Sequence, residues 1–363
     1  MILHRYIARR FFLMFLSILA MFALLQVLLD FIEQLRRFDD VPFSTVLKLT
    51  FLKLPEGLYQ LIPLVVALAA IAMFLSLARS SELVVARAAG RNGVALIIAP
   101  CLVALAIGML ALVVGNPIVA STSKRLDVLT DQIKNDGVSS LSLGSEGLWL
   151  RQGSADGQTV IQARSADAEG TRLFDVNFLA YAPEGGPKTR ILAKTAELKS
   201  GAWHMTDVKM WDLDEHQNAE SLAEVKETLT LPSPLTADDI RDRFGDPSSV
   251  PIWDLPQFIY QLESAGFTAR RYIVWLQVEL ARPVFLLSMV LVAAVFTMRP
   301  QRGGRVGLSV LAAIMLGFSL YYIRNFAQVL GENGQIPAAL AAWAPPSAAF
   351  MLGLGLVLQR EDG

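Results

Sequence analysis

The chain has 363 residues, of which 53% are hydrophobic and 18% are charged, and its formal net charge is −1. Soluble globular proteins contain about 45–50% apolar and about 25% charged residues, so the composition excludes that class and indicates a membrane protein. The near-zero charge excludes a generally basic protein that binds nucleic acid. The single cysteine, Cys101, lies within an apolar run, which excludes an intrachain disulfide.

Six apolar runs are long enough to cross a bilayer. A hydrocarbon core about 30 Å thick needs roughly 20 helical residues. The predicted spans cover residues 11–29, 55–78, 94–118, 272–298, 306–330 and 337–358. The first run follows three arginines, as a signal peptide would, but it is longer than a usual signal core and lacks a small-x-small cleavage site. We therefore predict a retained anchor.

The distribution of arginine between the short loops predicts the orientation, because cytoplasmic loops carry an excess of Lys and Arg. One side of the predicted membrane carries ten basic residues against three acidic ones: Arg5, Arg9, Arg10, Arg79, Arg87, Arg91, Arg299, Arg302, Arg305 and Arg360. The sequence therefore predicts that both termini are cytoplasmic and that the large middle block is outside.

The middle block, residues 119–271, carries 16 Lys and Arg against 23 Asp and Glu. A short polar helix over 119–133 is expected to continue the third span. Alternating segments separated by turn residues then predict an all-β domain, with strands at 147–151, 159–164, 172–181, 189–199, 203–213 and 223–231. Asp254 is suited to begin a helix that ends at Gly266. The predicted domains are therefore 1–118, 119–271 and 272–363.

No catalytic constellation accompanies this architecture. The chain contains no phosphate-binding G-x-x-x-x-G-K-[ST] loop, no H-E-x-x-H and no G-x-S-x-G. The only histidines in the middle block, His204 and His216, lack metal-ligand spacing, so no metal site is predicted. We therefore expect no cofactor on this chain, and any chemical energy has to come from a partner. A membrane enzyme is the least favoured class.

The stretch 80–90, between the second and third spans, predicts a short cytoplasmic helix. Ser80 or Ser81 suits its N-cap, Glu82 suits its first turn, and Gly90 suits its end. The helix is too short to span and too apolar for a solvated loop. Two interpretations stay open, a helix that packs into a partner's groove and a helix that lies on the lipid surface.

Ionisable residues inside the spans are costly and therefore often functional. Glu279 and Arg282 lie three apart on one helical face and are expected to neutralise each other. Arg324 has no acidic residue at three or four positions, so it either snorkels to the interface or faces a lumen that admits an anionic headgroup. Arg36 and Arg37, outside the first span, suit bidentate phosphate recognition or form a solvated pair beside Asp39 and Asp40.

With these features the chain resembles the lipopolysaccharide-export permeases, which are the F/G-type transmembrane subunits of an ABC transporter in Gram-negative bacteria. Of the two types, it is more similar to the G-type. The most specific motif is S-E-L-V-V-A-R-A-A-G at 81–90, which resembles the G-type coupling helix. Supporting motifs are H-R-Y-I at 4–7, S-L-G-S-E-G-L-W at 142–149, G-x-x-A-x-R-Y at 266–272, A-x-P at 281–283 and W-A-P-P at 343–346.

The resemblance implies six transmembrane helices, three before and three after an inserted periplasmic β-jellyroll. It implies a heterodimer with an F-type permease, two copies of a cytoplasmic ATPase that binds ATP-Mg, and a membrane-anchored periplasmic adaptor. The complex would extract lipopolysaccharide from the outer leaflet of the inner membrane and pass it toward the outer membrane. The alternative is a membrane scaffold or sensor whose β domain binds a periplasmic partner.

The resemblance also implies two sets of site residues. ATPase coupling would fall to Ser81, Glu82, Leu83, Val84, Val85, Arg87 and Gly90. The resemblance implies lipid headgroup binding at Arg36 and Arg37, to which we add Arg324 and Arg282 as candidates of our own. The sequence departs from the family at Asp30, where a third basic residue is common, and Arg324 is our own candidate for the missing cation.

Overall fold

The computed structural model describes residues 2–38, 41–88, 93–134, 141–144, 147–154, 157–167, 171–182, 186–199, 201–213, 220, 223–233, 246–298 and 306–361. Two compact units are present. One comprises Met1–Leu126, Ser248–Ile252 and Arg270–Gly363 and contains the long helices. The other comprises Asp127–Pro247 and Trp253–Ala269 and contains the β sheet.

The helical unit is built from long apolar helices. In chain order they are α1 (Ile2–Arg37), α2 (Phe43–Arg79), the short α3 (Glu82–Ala88), α4 (Gly93–Leu110), a π-helical turn (Ala111–Gly115), α5 (Asn116–Lys134), α7 (Arg270–Thr297), α8 (Val306–Glu332) and α9 (Ala338–Glu361). The helix α6 (Leu255–Ser264) belongs to the β unit. Because α4, the π turn and α5 are continuous, the predicted polar continuation of the third span is confirmed.

Six of the described helices are long and apolar enough to cross a membrane, which agrees with the six predicted spans. They are Ile2–Arg37, Phe43–Arg79, Gly93–Thr130, Arg270–Thr297, Gly307–Glu332 and Ala338–Gln359. The observed helices exceed the predicted spans, since a helix continues through polar residues beyond the hydrocarbon as long as its backbone stays paired.

The core of the helical unit lies between α2 and α7. Their most apolar stretches are 61% and 78% buried, whereas the corresponding stretches of α1 and α8 are only 6% and 17% buried. Glycine permits the closest helix contact, because a Cβ at Gly108 of α4 would lie 2.6 Å from the Cα of Pro283 in α7. The exposed apolar faces of α1 and α8 are therefore available to lipid or to another subunit.

The β unit is one seven-stranded antiparallel sheet. Its strands are β1 (Leu141–Gly144), β2 (Gly147–Ser154), β3 (Gly157–Ala166), β4 (Arg172–Tyr181), β5 (Pro187–Lys199), β6 (Ala202–Asp212) and β7 (Glu224–Pro232). They pair in chain order, so the described strands form a meander. The six predicted strands correspond to β2–β7. The strand β1 was not predicted, because its four residues are too few to show a clear alternation.

One face of the sheet packs a core in which Trp203 is fully buried, with its ring edge-to-face against Phe178 at 6.0 Å. Asp175 and Asp207 adopt positive φ angles of 49° and 51°, where the pairing of β4 and β6 with their neighbours skips a residue. The register is the same on either side of each residue, so the ladder is interrupted there without being shifted. A register shift is present between β4 and β5, at Ala180/Tyr181. The predicted fold class, a membrane protein with a β domain inserted between the third and fourth spans, is confirmed.

Candidate functional site

The short helix α3 combines a buried face with an exposed apolar ridge. The Ser81 carbonyl accepts the first helical hydrogen bonds, at 3.0 Å from Val84 N and 3.1 Å from Val85 N, so Ser81 occupies the N-cap position. Leu83 and Ala86 are buried in the helical core. Val84 and Val85 are 53% and 68% exposed, so adjacent β-branched side chains point away from the unit. Gly90 and the Arg87 side chain lie outside the described residues.

Glu82 anchors α3 to two other helices. Its carboxylate accepts hydrogen bonds from Arg10 Nη1 of α1, at 2.8 and 3.1 Å, and from Ser80 Oγ at 2.7 Å. Arg10 also donates to Ser76 Oγ of α2 at 2.7 Å. Burial raises the pKa of Glu82, but the hydrogen bonds from Ser80 and Arg10 lower it more, so the net pKa lies below its usual 4.5. Sequence reasoning missed Arg10, because residues 72 apart carry no pairing signal.

Arg36 and Arg37 form the last turn of α1, and both side chains are exposed. The Arg37 guanidinium lies 5.7 Å from the centre of the Phe38 ring. Two cations at a helix C-terminus are favourable because the backbone carbonyls there carry partial negative charge. Their expected neighbours Asp39 and Asp40 lie outside the described residues. Since 26 residues separate Arg36 from Arg10, the two ends of α1 lie about 39 Å apart.

Asp30, one turn and a half before this pair, lies in a polar contact between α1 and α2. It is only 6% exposed, and its Oδ1 pairs with Lys53 Nζ of α2 at 3.1 Å. Lys53 also contacts Glu33 Oε2 at 3.0 Å. An ammonium group is therefore present beside Asp30, where the resemblance implies a basic residue, but it comes from α2 and is shared by two carboxylates.

A buried polar cluster joins α2 and α7. Glu279 and Arg282 are 0% and 2% exposed and form an ion pair on one face of α7, which confirms the predicted mutual neutralisation. Arg282 Nε lies 3.1 Å from Glu279 Oε2, and Arg282 Nη1 donates to the Tyr59 carbonyl at 3.0 Å. The Tyr59 hydroxyl donates to Glu279, and the Arg282 guanidinium stacks 3.9 Å from the centre of the Tyr59 ring. Each of the three nitrogens of the Arg282 guanidinium thus has a partner within the chain.

Arg324 of α8 lies beside this cluster but is not neutralised by it. Its side chain is only 7% exposed, lies 5.4 Å from the centre of the Phe285 ring, and donates to Asn325 Oδ1 at 3.3 Å. Among the described residues it forms no ion pair. The Glu279 carboxylate already pairs with Arg282. Glu279, Arg282 and Arg324 together therefore carry one excess positive charge inside the helical unit.

The structure therefore separates the predicted site residues into three places. The α3 residues lie at one end of α1, and Arg36 and Arg37 lie at its other end. Arg282 and Arg324 lie on the neighbouring helices α7 and α8. His204 lies on β6 with its Nδ1 3.2 Å from Thr230 Oγ1, and His216 lies outside the described residues. The sequence analysis did not identify Tyr59, which lies between two prolines of α2. The one feature that could have indicated a role for it was a polar hydroxyl within an apolar span.

Comparison with known proteins covers nearly the whole chain. Residues 5–359 match the family of the lipopolysaccharide export system permease LptF/LptG. The chain is 23% identical over 364 residues to the lipopolysaccharide export system permease protein LptG of Escherichia coli strain K12, covering 99% of each. It is 24% identical over 353 residues to the LptG protein of Haemophilus influenzae, covering 93% of this chain and 92% of that protein.

Proposed function

Since the chain belongs to the LptF/LptG family of lipopolysaccharide export permeases, we propose that it is the G-type permease subunit that extracts lipopolysaccharide from the outer leaflet of the inner membrane. The lipid then passes to a periplasmic bridge toward the outer membrane. The proposed assembly pairs this chain with an F-type permease, two copies of a cytoplasmic ATPase and a membrane-anchored periplasmic adaptor. ATP-Mg binds the ATPase, and this chain binds no cofactor. Both termini are cytoplasmic, and the β domain is periplasmic.

The observation that carries this proposal is the exposed ridge of α3 within a chain that matches the family from residue 5 to residue 359. Leu83 and Ala86 fix the helix to the helical core, whereas Val84 and Val85 leave a large apolar surface on a short connecting helix. Such a ridge fits a hydrophobic groove of a partner, in the mode by which amphipathic helices commonly bind. The surface of α3 thus supports docking of the ATPase.

The anchoring of α3 supports transmission of force from that ATPase. Arg10 connects Glu82 of α3 to Ser76 of α2, and it does so from the cytoplasmic end of α1. A displacement of α3 therefore acts on α1 and α2 together. Because Glu82 already has partners within the chain and its side chain is 37% exposed, we assign it chiefly to holding the ridge, with its exposed edge left for an ATPase contact.

The proposed lipid contacts are Arg36, Arg37 and Arg324. The first two are exposed guanidiniums at the outer end of α1, where a phosphorylated headgroup lies. Arg324 carries the excess charge described above, and an anionic group that reaches it would be strongly attracted in this low-dielectric setting. Arg282 joins them only as the fixed neighbour that keeps Glu279 from neutralising Arg324.

The test is a pair of matched substitutions in the full complex. Val85→Asp places a charge on the ridge of α3, whereas Val225→Asp places the same charge on β7, where Val225 is 78% exposed. We expect Val85→Asp to abolish copurification of the ATPase and ATP-dependent release of lipopolysaccharide from proteoliposomes, because the charge would be buried in an apolar groove. Val225→Asp should leave both unchanged.

The opposite result separates the transporter from the scaffold. If Val85→Asp inserts normally, retains its ATPase and releases lipid at the unsubstituted rate, α3 is not the coupling element. A chain that copurifies with no ATPase, with or without the substitution, would favour the membrane scaffold or sensor.

A further inference from the structure

The helix α6 carries an aromatic stripe that the transport function does not use. Trp253, two residues before the helix begins, is 64% exposed, and Tyr260 is 72% exposed. Gln257, Tyr260 and Ser264 are positions i, i+3 and i+7, which lie on one face of the helix, and Trp253 continues the same spacing in the turn before it. That face carries no charged residue. The opposite face is fully buried at Leu255 and Leu262, so the helix has two distinct sides.

Short connections tie both ends of α6 to the helical unit. Ile252, three residues before Leu255, belongs to that unit and donates its backbone N–H to Asn116 Oδ1 at 2.8 Å. Arg270, six residues after Ser264, begins α7. At no more than about 3.6 Å per residue, the two connections reach about 11 Å and about 22 Å. The ten residues of α6 are themselves about 15 Å long.

The length of α2 indicates the depth of the first of these anchor points, Ser248–Ile252. Ser248 donates to Glu56 Oε1 of α2 at 3.3 Å. Glu56 is 23 residues from Arg79 at the other end of α2, which corresponds to about 34 Å, slightly more than the hydrocarbon thickness of about 30 Å. The segment Ser248–Ile252 therefore runs where the hydrocarbon ends, and Trp253 follows it directly in the chain.

Backbone hydrogen bonds make α6 a rigid part of the β unit. Gly266 has a φ of +88° and donates to the Glu263 carbonyl at 3.0 Å, while Phe267 donates to the Leu262 carbonyl at 3.0 Å, which is a Schellman motif. Ala166 of β3 donates to the Ala265 carbonyl at 2.9 Å. A Cβ at Gly266 would lie 2.2 Å from the Ala166 carbonyl oxygen, so no larger residue fits there.

We propose that α6 is an interfacial helix whose stripe of Trp253, Gln257, Tyr260 and Ser264 lies in the headgroup region of the outer leaflet of the bilayer. Trp and Tyr concentrate at this depth because each combines an apolar ring with a polar group that stays hydrated. A stripe without charges avoids the cost of placing an ion near the acyl chains. The helix would hold the β domain to the bilayer surface, whichever lipid the permease transports.

The test measures the surroundings of α6 by fluorescence in the full-length chain. Cysteine is introduced at Trp253, Gln257 or Tyr260 on a Cys101→Ser background, labelled with the environment-sensitive fluorophore NBD, and reconstituted in phosphatidylethanolamine–phosphatidylglycerol nanodiscs. Control labels replace Glu263, on the flank of the helix, and Val225 on β7. Gln257→Cys retains both aromatic residues, so the test stands even if an aromatic substitution perturbs folding.

We expect the three stripe labels to emit at shorter wavelength than the controls, to be quenched by lipids carrying a nitroxide near the headgroup, and to resist aqueous iodide. Val225→Cys should show the reverse. Iodide quenching of all three stripe labels to the extent seen for Val225→Cys would overturn the proposal. Protection from both quenchers would also overturn it, because the stripe would then be covered by protein.

Discussion

The buried ion pair of α7 offers the most direct test of how this protein manages charge inside the membrane. Arg282→Met removes the guanidinium but keeps a long apolar side chain of similar reach. Glu279, which is 0% exposed, then retains the Tyr59 hydroxyl as its one hydrogen-bond donor among the described residues. Two hydrogen bonds from Arg282 to Glu279, one to the Tyr59 carbonyl and the stacking on the Tyr59 ring are lost together.

Removing one partner of a buried ion pair costs about 3–5 kcal/mol, because the remaining charge stays buried without compensation. The lower end of that range applies here, since the unfolded chain in a micelle also finds polar partners. The double substitution Glu279→Gln/Arg282→Met removes both charges and keeps an acceptor for the Tyr59 hydroxyl. It should therefore recover at least about 2 kcal/mol of the loss.

The measurement is equilibrium unfolding in mixed dodecylmaltoside–SDS micelles, followed by tryptophan fluorescence. Glu197→Gln, which breaks the solvent-accessible ion pairs of Glu197 with Arg172 and Lys199 on the β sheet, is the control and should leave the midpoint nearly unchanged. Arg324→Gln should be neutral or stabilising, because its guanidinium is buried without a described ion-pair partner, yet it should reduce photocrosslinking to lipopolysaccharide.

Two results would refute this reasoning. An Arg282→Met protein as stable as the unsubstituted chain would show that the pair does not support the fold, and Arg282 would again become a candidate for headgroup binding. A double variant as unstable as the single one would show that packing, and not the unpaired carboxylate, accounts for the loss.

Two further predictions concern helix packing and pH. Gly108→Ala should lower the unfolding midpoint, because its Cβ would lie 2.6 Å from the backbone of α7. The control Gly355→Ala, whose Cβ would have no neighbour within 4 Å, should be neutral or slightly stabilising. Equal midpoints for the two variants would contradict the close contact at Gly108. Because the pKa of Glu82 is lowered, its ion pair is present above the usual pKa and is lost as pH falls through the depressed value. The midpoint difference between Arg10→Gln and the unsubstituted chain should therefore be constant from about pH 7 to about pH 5 and shrink in stronger acid to the part that comes from the hydrogen bond of Arg10 to Ser76. A difference that does not shrink would contradict the ion pair.

Local pattern was sufficient for most elements of this protein, with β1 as the exception. Apolar length set the six spans, because a helix that crosses hydrocarbon must satisfy its backbone internally over about 20 residues. Strict alternation between turn residues located β2–β7, and Gly266 marked the end of α6 because it adopts a positive φ there. The pairing of Glu279 with Arg282 was also predictable, since residues three apart share a helical face. Each of these signals is contained within a few residues of the chain.

The tertiary structure alone decided which distant groups meet. Arg10 pairs with Glu82 across 72 residues, Lys53 pairs with Asp30, and the Tyr59 hydroxyl meets Glu279 across 220 residues. It also decided that Val84 and Val85 are exposed while Leu83 is buried, and that Arg324 is left without a described ion-pair partner. Such contacts depend on how helices pack, and many sequences with the same apolar periodicity allow different packings. The composition of a segment therefore determines that it enters the membrane, whereas the partners of its charges are determined only once the helices are assembled.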